Sequence, residues 1–220
     1  MAARHSTNLL IFDCDGVLVD SEMIGCRVEA SFLTDIGIPI SVNEIMERYV
    51  GISETAMFAD LEARCGRQLP LGFGDKLRER IAAAFEAELG AMPGIETALT
   101  AISLPRCVAS SSKPDSLRHS LNLVGLLRHF HPHIFSADQV MRGKPAPDLF
   151  LFAASQMDVR PEACTVIEDS QAGVMAAVAA GMRVFGFTGG SHCRPGHAAR
   201  SREAGAVTVF DDMRNLPALI

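Results

Sequence analysis

Four short stretches of this chain carry residues able to do chemistry: DCDGVLVDSE at 13–22, VASSSKPD at 108–115, GKPAPD at 143–148 and VIEDS at 166–170. The first sets Asp13 and Asp15 two apart at the end of the apolar run LLIF, and residues two apart on a strand point to the same side. That spacing makes a paired carboxylate, with Cys14 turned toward the core and Gly16 able to take the sharp turn out of the strand. The second stretch ends on the hydroxyls of Ser110, Ser111 and Ser112, followed by Lys113 and Pro114, where the start of a helix offers backbone N–H groups to an anion. Lys144 in the third stands between turn residues ahead of another helix, and the fourth closes an apolar run on Glu168 and Asp169. Carboxylates, hydroxyls, free amides and a lysine together are groups for holding a hard cation and a phosphoryl group.

Each stretch has a plainer reading. Asp-Gly makes turns whose acids are solvated, Ser112 and Ser170 are of the type that caps helices, and a loop lysine ordinarily sits in water. Any one of these stands by itself; all four at once do not. Lysine usage points the same way. Of 20 basic residues only three are lysine, at 76, 113 and 144, so two of the three fall in these stretches. An ammonium is a compact point charge suited to a phosphate oxygen, a role arginine does not reproduce.

The elements that must position these groups follow from texture. From Met92 onward, short apolar runs (RCVASSS, HIFSAD, CTVIED, MRVFGF, AVTVF) alternate with amphipathic segments (IETALTAI, DSLRHSLNLVG, PDLFLFAASQM, AGVMAAVAA, HAARSREAG). Alternating strands and helices predict an α/β fold with a parallel sheet covered on both faces. NLLIFD belongs to that sheet by texture. Between about Ser21 and Leu89, however, apolar positions recur three and four apart and predict four helices without a strand. The expected organisation is a Rossmann-like core of residues 1–20 and 91–220 with an all-helical cap, 21–90, inserted after the first strand. Pro93 and Gly94 punctuate the return. In an open parallel sheet ligands sit at the carboxyl ends of the strands, where all four stretches fall.

A chain of 220 residues that is 48% hydrophobic can bury a sizeable core, and its net charge of −6 argues against nucleic acid or an anionic membrane as partner. No apolar run reaches the roughly 20 residues of a membrane span, and MAARHSTN is not followed by a signal-peptide core. Six scattered cysteines without a CxxC pair suit a reducing cytoplasm. In GGSHCRPGH at 189–197, His192, Cys193 and His197 invite a metal reading, but their spacing matches no standard site, and the segment is expected to be a loop bordering the strand ends.

The order of the four stretches resembles the four motifs of the haloacid dehalogenase-like hydrolase superfamily, and the helical block resembles that superfamily's small cap; the nearest likeness is to its phosphatase and sugar-phosphate mutase branch. The resemblance implies a magnesium-dependent phosphatase acting on a small phosphorylated metabolite, a sugar phosphate or phosphosugar acid. Asp13 is then the nucleophile, forming an aspartyl-phosphate, and Asp15 the general acid and base. Magnesium is held by Asp13, the backbone carbonyl of Asp15 and Asp169, with Glu168 a direct ligand or one water removed. Ser110 and Ser111 hold phosphoryl oxygens, and Lys144 neutralises charge on Asp13 and the phosphate. Ser112, Lys113 and the cap loop YVGIS at 49–53, through Gly51, face the remote end of the substrate. Asp20 and Ser21 are hinge candidates.

Rival readings within the resemblance are a dehalogenase or phosphonate hydrolase, disfavoured by Asp15 and by Lys76 being the only cap lysine, and a catalytically silent binding protein. A β-phosphoglucomutase-like mutase is the remaining alternative. It is expected to carry a histidine five residues beyond the hinge aspartate and an arginine just after the Gly-x-Ser of the cap loop. This chain has Gly25 and Glu54 there, and a free carboxylate at 54 would repel a second phosphate.

Overall fold

The structure, a computed structural model, describes residues 6–50, 52 and 54–220. The chain divides into two compact units: residues up to Asp20 together with Gly90–Ile220, and Ser21–Leu89.

The first unit is built on six parallel strands, β1 (Leu9–Phe12), β2 (Arg106–Ser110), β3 (Ile134–Ser136), β4 (Cys164–Glu168), β5 (Arg183–Phe187) and β6 (Thr208–Phe210), in the spatial order β3-β2-β1-β4-β5-β6. Strand β1 is fully buried because both its edges pair, with β2 and β4, and both its faces are covered. An unbroken apolar run such as LLIF is what that position requires. Leu9 and Ile11 join Cys107, Ala109 and Val166 in one core cluster with Leu149, Phe150 and Ala153 of α7 (Asp148–Gln156) and Val174, Ala176 and Ala177 of α8 (Gln171–Ala179). Phe12 instead meets Phe130 edge-on, ring centroids 5.7 Å apart. The remaining helices of this unit are α5 (Ile95–Ala101), α6 (Pro114–Leu123), α9 (His197–Glu203) and α10 (Leu216–Leu219).

Sheet growth reverses at β1. The chain builds outward through β2 and β3 on one side, then returns to lay β4, β5 and β6 on the other. Such a switch point opens a crevice beyond the carboxyl ends of the strands beside it. The register pairs Phe12 with Val108 and with Ile167, so Asp13 emerges level with the ends of β2 and β4.

The second unit holds α1 (Glu22–Asp35), α2 (Val42–Tyr49), α3 (Glu54–Cys65) and α4 (Phe73–Glu88), with no strand among its described residues. Its core gathers Phe32, Leu33, Ile45, Leu61, Phe73 and Leu77, the rings of Phe32 and Phe73 stacked at 5.0 Å. Helix α2 starts where Ser41 Oγ accepts from Glu44 N at 3.1 Å. The boundary falls after Leu89 rather than residue 90, because the Gly90 carbonyl accepts from Asp20 N at 3.0 Å and Met92 N donates to Leu18 O at 2.9 Å. An antiparallel bridge between Val19 and Ala91 lies between those bonds. No helix among the described residues is long and apolar enough to cross a membrane.

Candidate active site

Beyond the ends of β1 and β4, Asp13, Glu168 and Asp169 bring a carboxylate oxygen each within 4.8 Å of the others, and all three residues are buried. Lys144, from the loop before α7, places Nζ 2.8 Å from Asp13 Oδ1 and 2.6 Å from Glu168 Oε1. Its ammonium also lies over the Phe150 ring, 5.0 Å from the centroid. Burial drives the pKa of Asp13 well above the ordinary carboxylate value, with Lys144 opposing it and the neighbouring acids adding to it. Asp169 is raised in the same direction, by burial first and then by Glu168. Burial pulls Lys144 down, but the two carboxylates outweigh it and hold the lysine above its usual range. Three buried carboxylates face one ammonium, so their ionised forms call for further positive charge. Such an oxygen-rich cluster fits a hard divalent cation.

The two members of the acidic pair at 168 and 169 differ in what already holds them. Glu168, wholly buried, gives Oε1 to Lys144, while its Oε2 accepts from Ser170 N at 2.7 Å and Ser170 Oγ at 3.0 Å. Ser170 in turn caps α8 by accepting from Gly173 N at 3.0 Å. Gly173 is required by this packing, since a Cβ there would lie 1.6 Å from Glu168 Oε1. Gly16, with φ +75°, serves Asp169 likewise: a Cβ would fall 2.1 Å from Asp169 Oδ2.

Across the crevice, Ser112 Oγ donates to Asp15 Oδ2 at 2.7 Å. Ser112 therefore does not cap α6, whose flanking residue is Lys113. Its amide donates to Ser110 Oγ at 3.2 Å and its carbonyl accepts from Ser136 Oγ at 2.7 Å, which fixes the bend of the loop. Ser110 is buried, whereas Ser111 and Lys113 are exposed. Cys14 is fully buried beneath, and burial raises its thiol pKa well above normal, as a structural cysteine requires. Gly51 and Ser53, in the cap loop expected to reach the substrate, lie outside the described residues. Glu54 is not a lone carboxylate, because Arg78 Nη1 binds both its oxygens at 2.6 and 2.7 Å. The repulsion expected of Glu54 toward a second phosphate is weakened by that pairing.

The motif spacing missed the contribution of the segment after β5. His192 Nε2 stands 2.9 Å from Asp169 Oδ2, and His197 Nε2 is 2.6 Å from the Asp169 carbonyl. Asp20, expected as a hinge, accepts at Oδ1 from Ser191 N at 3.0 Å and Ser191 Oγ at 2.8 Å, which anchors the turn bearing His192. His192, Cys193 and His197 do converge within 4.8 Å, but both Nε2 atoms are already engaged with Asp169. The available signal was position, since GGSHC follows a core strand at the same sheet edge as the motifs.

Residues 7–181 match the family of haloacid dehalogenase-like hydrolases. The chain is 32% identical over 211 residues to the 6-phosphogluconate phosphatase of Escherichia coli (strain K12), covering 96% of this chain and 93% of that protein. Among solved structures, a conserved haloacid dehalogenase-like protein from Agrobacterium tumefaciens str. C58 superposes with a TM-score of 0.87 at 43% identity, over 97% of each chain. A hydrolase of the same family from Deinococcus radiodurans R1, solved with bound phosphate and sodium, gives 0.81 at 34% identity over 98% of this chain and 95% of that one.

Proposed function

Because the chain belongs to the haloacid dehalogenase-like hydrolases and is a phosphoric monoester hydrolase, we propose that it dephosphorylates a small sugar phosphate or phosphosugar acid through an aspartyl-phosphate on Asp13. The observation that carries this reading is the buried Asp13–Lys144–Glu168 bridge beside Asp169. Lys144, 2.8 Å from Asp13 Oδ1, opposes the rise in pKa that burial causes and so favours the ionised form a nucleophile requires. Asp13 attacks phosphorus, and the bond to the leaving oxygen breaks as Asp15 delivers a proton to it. Asp15 then takes a proton from water, whose oxygen attacks the same phosphorus and releases inorganic phosphate from Asp13. Ser112, donating to Asp15 Oδ2, holds that carboxyl toward the leaving group.

Ser110 and the amide of Ser111 receive the phosphoryl oxygens, while the exposed Lys113 meets the remainder of the substrate. Asp13, Asp169 and the carbonyl of Asp15 would hold magnesium, which when bound supplies the positive charge that lets a carboxylate approach a phosphate dianion. Glu168, whose oxygens are committed to Lys144 and Ser170, sits one layer out and anchors the lysine. The kinship with a 6-phosphogluconate phosphatase favours a phosphosugar acid, and six free thiols suit a reducing cytoplasm.

Phosphate release from 6-phosphogluconate, hexose and hexitol phosphates and nucleotides, with magnesium or EDTA, tests this reading. Release from a sugar compound that EDTA and Asp13→Asn both abolish is expected. Turnover retained in a folded Asp13→Asn variant would refute the covalent route. Conversion of a hexose 1-phosphate to its 6-phosphate isomer with a bisphosphate primer would put a mutase in its place.

A further inference from the structure

We propose that His192 and His197 are positioning residues that clamp Asp169 from two sides and leave only one of its carboxylate oxygens for the metal. The inference rests on the reading of Asp169 as a metal ligand and concerns what fixes that ligand in place. A carboxylate at the head of a loop has two equivalent oxygens and a freely turning side chain. Neither freedom survives here. Oδ2 accepts from His192 Nε2–H at 2.9 Å, and the Asp169 carbonyl accepts from His197 Nε2–H at 2.6 Å, so side chain and backbone are held separately. A carboxylate oxygen of Asp169 lies within 4.8 Å of one each on Asp13 and Glu168, so the clamped side chain stays within the acidic cluster.

The clamp is itself built in. His192 is only 5% exposed and fills a slot between two glycines: a Cβ on Gly16 would lie 2.9 Å from its Cε1, and one on Gly190 2.7 Å from the same atom. The two imidazoles meet edge to face, centroids 5.6 Å apart. Asp20 fixes the turn from below by accepting from both the amide and the hydroxyl of Ser191. Glycine at 16 and 190 thus has a common purpose, to admit an imidazole against Asp169. Groups that orient a ligand in this way ordinarily change metal affinity by about 10–100-fold when removed.

The test compares His192→Gln with His192→Leu, two side chains of similar bulk of which only glutamine keeps an N–H able to reach Asp169. Manganese titrated into the full chain and followed by its electron paramagnetic resonance signal reads affinity without turnover, and melting in EDTA verifies folding of each variant. Weakening of about tenfold or more is expected in the folded leucine variant, with most of the affinity restored in the glutamine variant. His197→Ala should weaken binding by a smaller factor. Wild-type affinity in His192→Leu, beside lost affinity in Asp169→Asn, would overturn the clamp and leave the metal reading intact. Wild-type affinity in Asp169→Asn would overturn the metal reading itself. Equal losses in the leucine and glutamine variants would show that the slot needs the ring's shape and not its hydrogen bond, and would also overturn the proposal.

Discussion

Alanine substituted for glycine inside a helix ordinarily stabilises a protein by about 0.5–1 kcal/mol, through lower backbone entropy in the unfolded chain. Two helical glycines here are expected to respond with opposite signs. At Gly25 in α1 a new Cβ meets nothing within 4 Å, so Gly25→Ala should gain the ordinary increment. At Gly173 in α8 the Cβ would lie 1.6 Å from Glu168 Oε1 and 2.0 Å from its Cδ. Glu168 must retreat by more than an ångström, yet it is held by Lys144 Nζ, Ser170 N and Ser170 Oγ. Hydrogen bonds to a charged group contribute about 1.5–3 kcal/mol each, so losing one or two outweighs the helix-propensity gain. A net loss of about 3 kcal/mol lowers the melting temperature by roughly 6–12 °C in a chain of this size. Melting followed by circular dichroism in EDTA, with Gly25→Ala as the internal control, measures both. Gly173→Ala melting at or above the wild type would refute the inference that Glu168 is immobile.

Two further outcomes are expected. Lys144→Met should lower phosphate release by about 100-fold or more, and should cost about 3–5 kcal/mol of stability by leaving Asp13 and Glu168 buried without a cation; adding Glu168→Gln should recover part of the melting temperature and none of the activity. In the helical unit, burial and then the Glu54 charge push the Glu29 carboxyl up from 4.5 to about 7, so its contribution to stability is fully present below pH 4.5 and is lost as the pH rises through about 7. Glu29→Gln should therefore gain on the wild type between pH 4.5 and pH 8, and a melting difference that stays constant across that range would exclude burial of a titrating Glu29.

Much of this architecture is legible in the sequence because its signals are local. A buried central strand must be apolar along its length, and LLIF and CTVIE read as such; the switch of texture at Met92 marks the return to the sheet. The motif residues follow strand ends, and register alone brings Asp13 level with Glu168. Partner choice was not legible. Ser112 has the type and position of a helix cap, yet its hydroxyl goes to Asp15, a residue 97 positions away. The pairing of Glu54 with Arg78 depends on how α3 meets α4, which helical periodicity does not encode. His192 and His197 stood out in the sequence, but their partner did not, because both act on Asp169 and their spacing of five residues follows the turn that carries them rather than a ligand pattern.

The pairing of Asp20 with Gly90 and of Leu18 with Met92 also bears on how such a chain can diversify. Because the outgoing and returning backbones are already joined as neighbours, the core fixes both ends of the inserted segment at the spacing of a hairpin. Whatever lies between them has only to begin and finish at that spacing. The helical unit is in this sense a cassette: its length, helix count and composition can drift without any strand of the sheet changing register. Asp20 is the exception, a junction residue that also holds Ser191, so an exchange of cassettes that preserves the turn bearing His192 has to cut the chain after it.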